Sequence, residues 1–357
     1  MNYDLVFEGG GAKGMVFVGA MQEFEARKHK PGRLLGTSAG AITATLLAAG
    51  YSSAEMLEAL NEKLPNGKSV FTSFMAVPAP FSAQEVQNSA IRAFLRAVNI
   101  QLIPDVLEEK IDDAITDKLA EDERFRHLFS FVERGGWFSA DNFLEWICAK
   151  LNSGTFNGKP RNFGEMTLNE YYQATQAELS LVASDTTGAK MLVLNHSTAP
   201  DCPVKRAVRM SMSIPLLWQE VIWDAKWGKY NGSEITGHAI VDGGLLSNFP
   251  IELFLSKLKD VTAVMGDKVS KHVLGFLIDD DLALPNLPQT VAETITGVKI
   301  SELQTVRRLS KLVDTTLSAR DKMVIDSYSN LVAHMPAKSY GTTEFDMTEE
   351  RRTALVE

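Results

Sequence analysis

The feature that most constrains the fold is a glycine-rich turn between a short apolar stretch and a helical pattern near the start of the chain. The turn consists of Gly9, Gly10, Gly11, Ala12, Lys13 and Gly14. Residues 4–7 before it have the pattern of a buried strand, and residues 15–24 after it carry apolar and small side chains at helical spacing. A strand, a glycine turn and a helix in this order predict a doubly wound α/β fold.

A second unit of the same kind follows and contains a candidate nucleophile. Residues 33–36 form a short apolar strand pattern, and residues 41–49 form a helical pattern that ends at Gly50. Between them, residues 36–40 read Gly-Thr-Ser-Ala-Gly and match the G-x-S-x-G pattern, in which glycines leave room for a serine on a sharp strand-to-helix turn. The N-terminus of the following helix favours negative charge at this point. We therefore predict that Ser38 is a nucleophile.

Charge and composition exclude several classes of protein. The 357 residues carry a formal net charge of -9, which argues against a nucleic-acid-binding protein because such proteins normally present a basic face. The start of the chain has no signal-peptide pattern, and no stretch approaches the roughly 20 apolar residues of a membrane-spanning helix. Cys148 and Cys202 have neither disulfide-framework nor zinc-site spacing. We expect a cytoplasmic protein whose membrane contact is transient and peripheral.

The first glycine turn admits two interpretations. Gly9, Gly11 and Gly14 satisfy the G-x-G-x-x-G fingerprint of dinucleotide-binding proteins, so a nucleotide-binding protein is one alternative. That fingerprint requires an acidic residue after the second strand, and this chain has Ser38 there instead. The other interpretation is an oxyanion hole, in which backbone N–H groups of residues 9–14 stabilise a tetrahedral intermediate. Parallel strands would bring the two glycine turns to the same sheet edge, which favours the oxyanion hole.

A serine needs a base, and Asp242 is our candidate. It follows a predicted strand over residues 239–241 and precedes two glycines that would leave its carboxylate accessible. A carboxylate in a partly dry cleft has a raised pKa and can act as a general base. Two alternatives stay open: Asp242 could simply cap a turn, and His238 could be the base, although we expect a structural role for that histidine.

Together these residues resemble the patatin-like phospholipase family. The resemblance depends on residues 9–14, 36–40 and 242–244, with support from the stretches 183–188, 211–215 and 247–250. It covers most of residues 4–260. It implies a three-layer α/β/α fold with a mostly parallel central sheet, a catalytic dyad of Ser38 and Asp242, an oxyanion loop over residues 9–14, and no metal ion or other cofactor for the chemistry.

The resemblance also implies a substrate class. The reaction would be a phospholipase A-type cleavage of fatty acyl esters, and the substrate would be a phospholipid or another acyl lipid at a membrane surface. A binding protein on a catalytically dead scaffold is the remaining alternative, although the chain retains both Ser38 and Asp242. For Lys13 we consider a contact with the lipid headgroup but expect a solvated loop side chain. Activation by a protein or a small ligand, and the oligomeric state, stay open.

For the domain organisation we predict one patatin-like domain over residues 1–345, with a helical insertion or lid over 70–132. Residues 346–357 would begin a C-terminal segment as a helix that the sequence ends before completing. Further strands are predicted over 179–183, 190–194 and 273–278, helices over 51–64, 91–102, 207–212 and 290–333, and a loop over 71–81. The aromatic cluster Trp218, Trp223 and Trp227 could either line an acyl site or fill the core.

Overall fold

The computed structural model of the protein describes residues 1–93, 123–266, 271–284 and 322–357. Most of the helix predicted over 91–102 and of the helical stretch predicted over 290–333 lies outside the described residues. The same holds for the middle of the insertion predicted over 70–132. In the described part of the chain, no helix is long and apolar enough to cross a membrane.

An eight-stranded sheet forms the centre of the described structure. Its strands are β1 (Asn2–Phe7), β2 (Lys30–Thr37), β6 (Leu179–Asp185), β7 (Lys190–Leu194), β9 (Val221–Ile222), β10 (Ala239–Asp242), β11 (His272–Asp279) and β12 (Val332–Pro336). The order is β12-β11-β1-β2-β6-β10-β9, and β7 pairs with β6 outside this path. The pairs from β12 through β6 are parallel, whereas β7, β9 and β10 join antiparallel. Two small ladders pair β3 (Gly136–Phe138) with β8 (Leu216–Trp218) and β4 (Thr155–Phe156) with β5 (Lys159–Pro160).

Helices pack on both faces of this sheet. In chain order they are α1 (Val16–Ala26), α2 (Ala39–Ala48), α3 (Ser53–Leu60), α4 (Ala83–Gln87), α5 (Glu123–Glu133), α6 (Asp141–Leu151), α7 (Leu168–Thr175), α8 (Val204–Ser211), α9 (Glu252–Leu255), α10 (Lys259–Met265), α11 (Lys322–Ser327) and α12 (Glu349–Val356). Short 3-10 helices cover Gly11–Met15, Val70–Phe74, Ala225–Trp227, Gly243–Leu245 and Ser329–Leu331.

The alternation of side chains along the central strands explains the three layers. In β1, Leu5 and Phe7 belong to the larger core cluster, while Val6 between them belongs to a second cluster. In β2, Leu34 and Leu35 divide between the two clusters in the same way. Successive residues of a strand point to opposite faces, so consecutive buried apolar residues show that the sheet is covered on both sides. The predicted α/β/α fold with a mostly parallel sheet is therefore confirmed.

Strand β6 sets the relative position of the two predicted catalytic residues. On one edge it pairs with β7 over Leu181–Asp185. On the other edge β2 ends with Thr37 opposite Val182, and β10 ends with Asp242 opposite Ala183. The ends of β2 and β10 thus meet beside consecutive residues of β6. Because Ser38 is the next residue after Thr37, this register brings Ser38 and Asp242 together.

Several local predictions are confirmed, and others are wrong for identifiable reasons. The predicted strands over 179–183, 190–194, 239–241 and 273–278 correspond to β6, β7, β10 and β11. The loop predicted over 71–81 begins instead with the 3-10 helix Val70–Phe74. Its Phe71 and Phe74 are buried against Trp146, an aromatic contact that a local pattern cannot reveal. Strand β12 was not predicted, and it overlaps the end of the helical stretch expected over 290–333.

The last described segment packs against the first helix. Helix α12 begins at an N-cap of Thr348, whose side chain accepts a hydrogen bond from the Arg351 N–H. A Cβ added to Gly19 in α1 would lie 1.9 Å from the Val356 carbonyl oxygen, so only glycine permits this close approach. The helix expected after residue 346 is therefore present, and it is docked on the fold.

Candidate active site

Ser38 occupies a strained turn between β2 and α2. Its backbone has φ 54° and ψ -119°, a conformation that non-glycine residues rarely adopt. A Cβ on Gly36 would lie 2.3 Å from the Gly40 oxygen, and one on Gly40 would lie 2.2 Å from the Phe7 oxygen. Both glycines are therefore required by close backbone packing. The strain is held in place by surrounding contacts and presents the serine at the carboxyl end of the sheet.

A buried serine on α8 helps to hold this turn. The Ser38 N–H donates a hydrogen bond of 3.0 Å to Oγ of Ser211, and the Ser211 hydroxyl donates to the Val182 carbonyl at 2.6 Å. Ser211 thus links the nucleophile turn to β6, the strand that also positions Asp242. The sequence indicates Ser211 only as part of the family pattern over 211–215, because its contact with Ser38 depends on tertiary structure.

Asp242 is buried at the end of β10, where its two carboxylate oxygens have different surroundings. Its N–H donates to the Ser213 carbonyl at 2.9 Å, and Oδ1 accepts the Gly244 N–H at 2.8 Å. Oδ2 is buried and has no hydrogen-bond partner among the described residues. The turn-capping interpretation is therefore correct for Oδ1, while Oδ2 remains free to accept a proton.

Burial changes the acidity of Asp242. It raises the pKa of this carboxyl from an ordinary 3.8 to about 7, because the surrounding protein disfavours the charged form. The facing Ser38 side chain and the Gly244 N–H favour the ionised form and offset part of the effect. A carboxyl with a pKa near neutrality can exchange a proton under ordinary conditions.

The glycine turn after β1 lies beside Ser38, as the parallel pairing of β1 and β2 requires. Three of its N–H groups are already used: Gly9 donates to the Asn248 carbonyl, Ala12 to the Thr342 carbonyl and Lys13 to the Gly10 carbonyl, at 2.9 to 3.1 Å. A Cβ on Gly14 would lie 2.4 Å from Cβ of Ala39, so Gly14 serves the packing of the turn against α2. Within the described ranges, the N–H groups of Gly10 and Gly11 have no such partner and are the candidate oxyanion donors.

Lys13 differs from the solvated loop residue that we expected. Its side chain is only 10% exposed, and its ammonium group contacts both carboxylate oxygens of Asp280 at 2.8 Å. Asp280 follows β11 and is 267 residues away in the sequence, so no local pattern could have indicated this ion pair. The lysine is fixed above the sheet edge, next to the glycine turn.

Two histidines, His238 and His334, lie on or beside strands of the central sheet, and each already contacts an aspartate in the described structure. His238 contacts Asp185 through Nδ1 at 2.8 Å and does not line the cavity around Ser38, which fits the structural role expected for it. His334 does line that cavity, but its Nδ1 contacts Asp279 at 2.8 Å and it extends from β12, three strands away from β2. Of the side chains considered as bases, only Asp242 follows a strand that ends beside Ser38.

Two cavities meet at Ser38. One, the polar cavity, has a volume of about 560 Å³ and runs along the sheet edge; its walls are half polar and half apolar, with Asp242 and Lys13 among the polar groups. The other, the apolar pocket, is narrow, about 80 Å³, and its walls are mostly apolar, with Phe71, Phe74 and Trp218 among them. Such a junction suits a molecule with one apolar and one polar part.

Of the predicted aromatic cluster, Trp218 lines the apolar pocket, while Trp223 packs in the core against Trp227 and Tyr230.

Asn248 was missed as an individual site residue, although it lies in the supporting stretch 247–250. Its side-chain amide donates to Oε1 of Glu8 at 3.1 Å and to the Gly9 carbonyl at 2.9 Å. The backbone carbonyl of Asn248 accepts the Gly9 N–H. Asn248 therefore fixes the entry to the glycine turn from the segment that follows Asp242.

The fold and this geometry define an α/β protein with a serine on a strand-to-helix turn and a buried carboxylate beside it. The model of the patatin-like phospholipase family matches residues 5–255, and the chain belongs to this family. It is 27% identical over 364 residues to the uncharacterized protein YqhO of Bacillus subtilis (strain 168), covering 100% of this chain and 95% of that protein. It is 22% identical over 251 residues to the probable lipid hydrolase 463L of Invertebrate iridescent virus 6, covering 70% and 62% of the two chains.

Similar solved structures include two bacterial proteins. VipD from Legionella pneumophila matches with a TM-score of 0.47 and 17% identity, over 99% of this chain and 64% of that one. ExoU, in its heterodimeric complex with SpcU from the type III secretion system of Pseudomonas aeruginosa, matches with a TM-score of 0.36 and 16% identity, over 99% and 49%. The chain thus spans 64% of the first protein and about half of the second.

Proposed function

We propose that the protein is a lipid acyl hydrolase in which Ser38 is the nucleophile and Asp242 the general base. The observation that carries the proposal is the buried Asp242 carboxyl, whose pKa is about 7 and whose Oδ2 has no partner in the described structure, in the same cavity as Ser38. Membership of the patatin-like phospholipase family supports the substrate class. The viral relative that is named a probable lipid hydrolase also supports this substrate class.

In the first step Asp242 accepts the Ser38 hydroxyl proton as the serine oxygen attacks the carbonyl carbon of an acyl ester. The tetrahedral intermediate collapses, the bond to the alcohol breaks, and the leaving oxygen takes the proton from Asp242. The products are the free alcohol and an acyl-enzyme on Ser38. Because one carboxyl accepts and then returns the proton, no histidine is required.

In the second step water releases the acyl chain. Asp242, again ionised, accepts a proton from a water molecule that attacks the acyl-enzyme. The second tetrahedral intermediate returns Ser38 as the leaving group, and its oxygen regains the proton. The fatty acid dissociates and the dyad returns to its starting state.

The N–H groups of Gly10 and Gly11 would stabilise the negative oxygen in both intermediates. They belong to the glycine turn beside Ser38, and Gly11 adopts φ +54°, a conformation that glycine accepts readily. Helix α2 begins at Ala39, so its N-terminal dipole adds to the same field. A preorganised donor of this kind typically lowers the barrier by about 3 kcal/mol.

The two cavities suggest how a lipid would lie. The apolar pocket between α1, α2 and the buried aromatic residues would take the acyl chain, and the polar cavity would take the rest of the molecule. The substrate would be presented at a membrane surface, with the protein bound peripherally. Phospholipase A-type cleavage is the reaction that this orientation favours.

The two alternatives from the sequence have less support. In the nucleotide-binding alternative, the N–H groups of the glycine turn should be free to bind phosphate, but those of Gly9, Ala12 and Lys13 are occupied. A dead scaffold would have no reason to keep a strained backbone at Ser38 beside a buried carboxyl with an unpartnered oxygen.

A fluorophosphonate probe together with matched variants tests the proposal. The wild-type protein should be labelled at Ser38 and should release fatty acid from phospholipid in mixed micelles. Ser38→Ala should abolish labelling, and Ser38→Ala and Asp242→Asn should each lower hydrolysis by roughly 10⁴-fold or more.

The controls are Ser233→Ala and Asp260→Asn, which change exposed residues outside both cavities and should retain activity. The proposal fails if the wild-type protein is neither labelled nor active on any acyl ester. It also fails if Ser38→Ala retains hydrolysis.

A further inference from the structure

The polar cavity extends away from Ser38 along the carboxyl edge of the sheet. It passes over the glycine turn after β1 and reaches the ends of β11 and β12, where Asp279 and His334 line it. Neighbouring strands lie about 4.8 Å apart, so β11 is about 10 Å and β12 about 14 Å from β2. A ligand that reacts at Ser38 can therefore place its remote groups against this far end.

The charges in the cavity change sign along this direction. Lys13, on the glycine turn between β2 and β11, is the one lysine or arginine among the described residues that line this cavity. Beyond it lie four carboxylates, those of Asp279, Asp280, Asp281 and Asp326. Apart from Asp242 and Glu8 at the near end, a ligand that extends outward from Ser38 meets the positive group of Lys13 and then this group of negative charges.

Pairing within the cavity leaves the far end acidic. Lys13 contacts Asp280, and His334 contacts Asp279, at 2.8 Å in both cases. Burial opposes ionisation of Asp279, but His334 and two backbone N–H groups outweigh it and hold the pKa of Asp279 below its ordinary value. Asp281 and Asp326 form no ion pair in the described structure, and both are exposed to the cavity.

The near end of the cavity has its own unsatisfied group. Oδ2 of Asp242 is buried without a partner in the described part of the chain, and Asp242 lines this cavity. Glu8, which also lines it, has its oxygens occupied by the Ile278 N–H at 2.6 Å and the Asn248 amide at 3.1 Å. An ammonium group has three donors, and Asp280 occupies two positions around Lys13, which leaves Lys13 one donor for a ligand.

We propose that the polar cavity selects lipids with a zwitterionic headgroup, binding the phosphate at Lys13 and the distal ammonium group at Asp281 and Asp326. In such a headgroup the phosphate is nearer the ester and the ammonium is farther from it, which is the order of complementary charges in the cavity. This inference rests on the proposed function, because it takes Ser38 as the point of ester attack. A headgroup with no cation beyond its phosphate would leave the acidic far end without a partner.

A divalent metal ion is a poorer occupant of the far end. Within the described residues, no group of three or more His, Cys, Asp or Glu side chains is arranged to hold a metal ion. A diffuse set of carboxylates suits an ammonium group, whose three rotatable donors need no fixed coordination geometry.

Binding to an inactive variant tests the selectivity without requiring turnover. In Ser38→Ala, calorimetry should compare two monomeric dihexanoyl phospholipids that differ only in the headgroup, one with ethanolamine and one with glycerol. Identical acyl chains make the apolar contribution equal. We expect the ethanolamine lipid to bind at least about tenfold more tightly, which is the ratio that one charge-assisted contact typically gives.

Variants locate the preference. Asp281→Asn with Asp326→Asn, added to Ser38→Ala, should bring the two affinities to within about twofold of each other, because both ammonium partners lose their charge. Asp260→Asn removes an exposed carboxylate that lines neither cavity, so it should leave the ratio intact. Circular dichroism would check that each variant is folded.

Three results would overturn the inference: equal or tighter binding of the glycerol lipid, an unchanged ratio in the double variant, or no binding of either lipid. The proposed function is judged separately, by fluorophosphonate labelling of Ser38 in the wild-type protein. A labelled serine without headgroup preference would reject only the inference. Headgroup preference without labelling or hydrolysis would reject only the catalytic proposal.

Discussion

Desolvation controls the chemistry of the single carboxyl group at Asp242. An exposed aspartate is ionised at neutral pH but is too weak a base to remove a proton from a serine hydroxyl efficiently. Burial at the end of β10 raises the pKa of Asp242 to about 7, and only one of its oxygens has a partner in the described structure. The residue thereby gains a basicity similar to that of a histidine. This explains how a dyad of serine and aspartate could replace a triad in which a histidine is the base.

The pH dependence of hydrolysis should report this pKa. The base must be ionised to act, so kcat/KM should rise with pH through a single ionisation near 7 and should be about one tenth of its plateau value at pH 6. The measurement is kcat/KM from pH 5 to pH 9 on an uncharged ester. An unperturbed aspartate would place the same rise near pH 4.

A matched variant separates Asp242 from His238, the other base considered from the sequence. His238→Gln removes a histidine that pairs with Asp185 and lines neither cavity, so the rise near pH 7 should persist. If the rise of kcat/KM near pH 7 disappeared in His238→Gln, the ionisation would belong to the histidine, and this would contradict the role of Asp242.

At the scale of elements, the parts predicted from the sequence are those whose signal is local. Glycine turns, apolar strands and the helix after Ser38 have patterns a few residues long, and the structure has β1, β2, α1 and α2 in these places. Contacts between distant segments have no such signal. The Lys13–Asp280 pair, the aromatic side chains Phe71 and Phe74 in the apolar pocket, and the support of Ser38 by Ser211 could not be predicted for this reason.

The glycine turn offers a test at this scale. Gly11 has φ +54°, and an added Cβ would lie 2.1 Å from the Thr342 carbonyl oxygen, so Gly11→Ala introduces both backbone strain and a clash. We expect its unfolding free energy to fall by more than the roughly 1 kcal/mol that strain alone costs. We also expect kcat/KM to fall by about 10²-fold or more, because a candidate oxyanion donor is displaced.

Gly67→Ala is the matched control for strain. Gly67 has φ +79°, and an added Cβ would meet nothing within 4 Å. Chemical denaturation of Gly67→Ala should show how much the backbone conformation alone lowers the unfolding free energy. The variant should leave kcat/KM unchanged. Equal stability losses in the two variants, with activity retained in Gly11→Ala, would exclude a special role for the turn.

At the scale of the whole molecule, the site depends on chain beyond the region that the family model matches. The Thr342 carbonyl accepts the Ala12 N–H, and Phe345 lines the apolar pocket and packs edge-to-face on Trp218. Helix α12 then packs on α1. The segment after β12 therefore closes one wall of the proposed acyl site and braces the glycine turn.

Phe345→Ala should change the acyl preference. Removing a ring from the wall of a narrow pocket enlarges it, so the optimum among p-nitrophenyl esters of increasing acyl length should move to longer chains. Phe345 is 6% exposed, and its loss should also lower the unfolding free energy by about 3–5 kcal/mol.

Phe163→Ala separates the two effects. Phe163 is also 6% exposed but packs against Phe156 and Tyr171, away from the apolar pocket. It should cost a similar stability and keep the original chain-length optimum. If the wild-type protein, Phe345→Ala and Phe163→Ala all had the same chain-length optimum, Phe345 would not form a wall of the acyl site.

The register on β6 also affects the order in which a newly made chain acquires reactivity. Ser38 leaves the ribosome early, whereas the β6 segment emerges roughly 140 residues later and Asp242 roughly 200 residues later. In the proposed mechanism, the hydroxyl has no proton acceptor until β2 and β10 have both docked beside Val182 and Ala183. An unfinished or partly denatured copy would therefore be harmless to the bilayers around it, and hydrolytic competence would accompany completion of the native sheet.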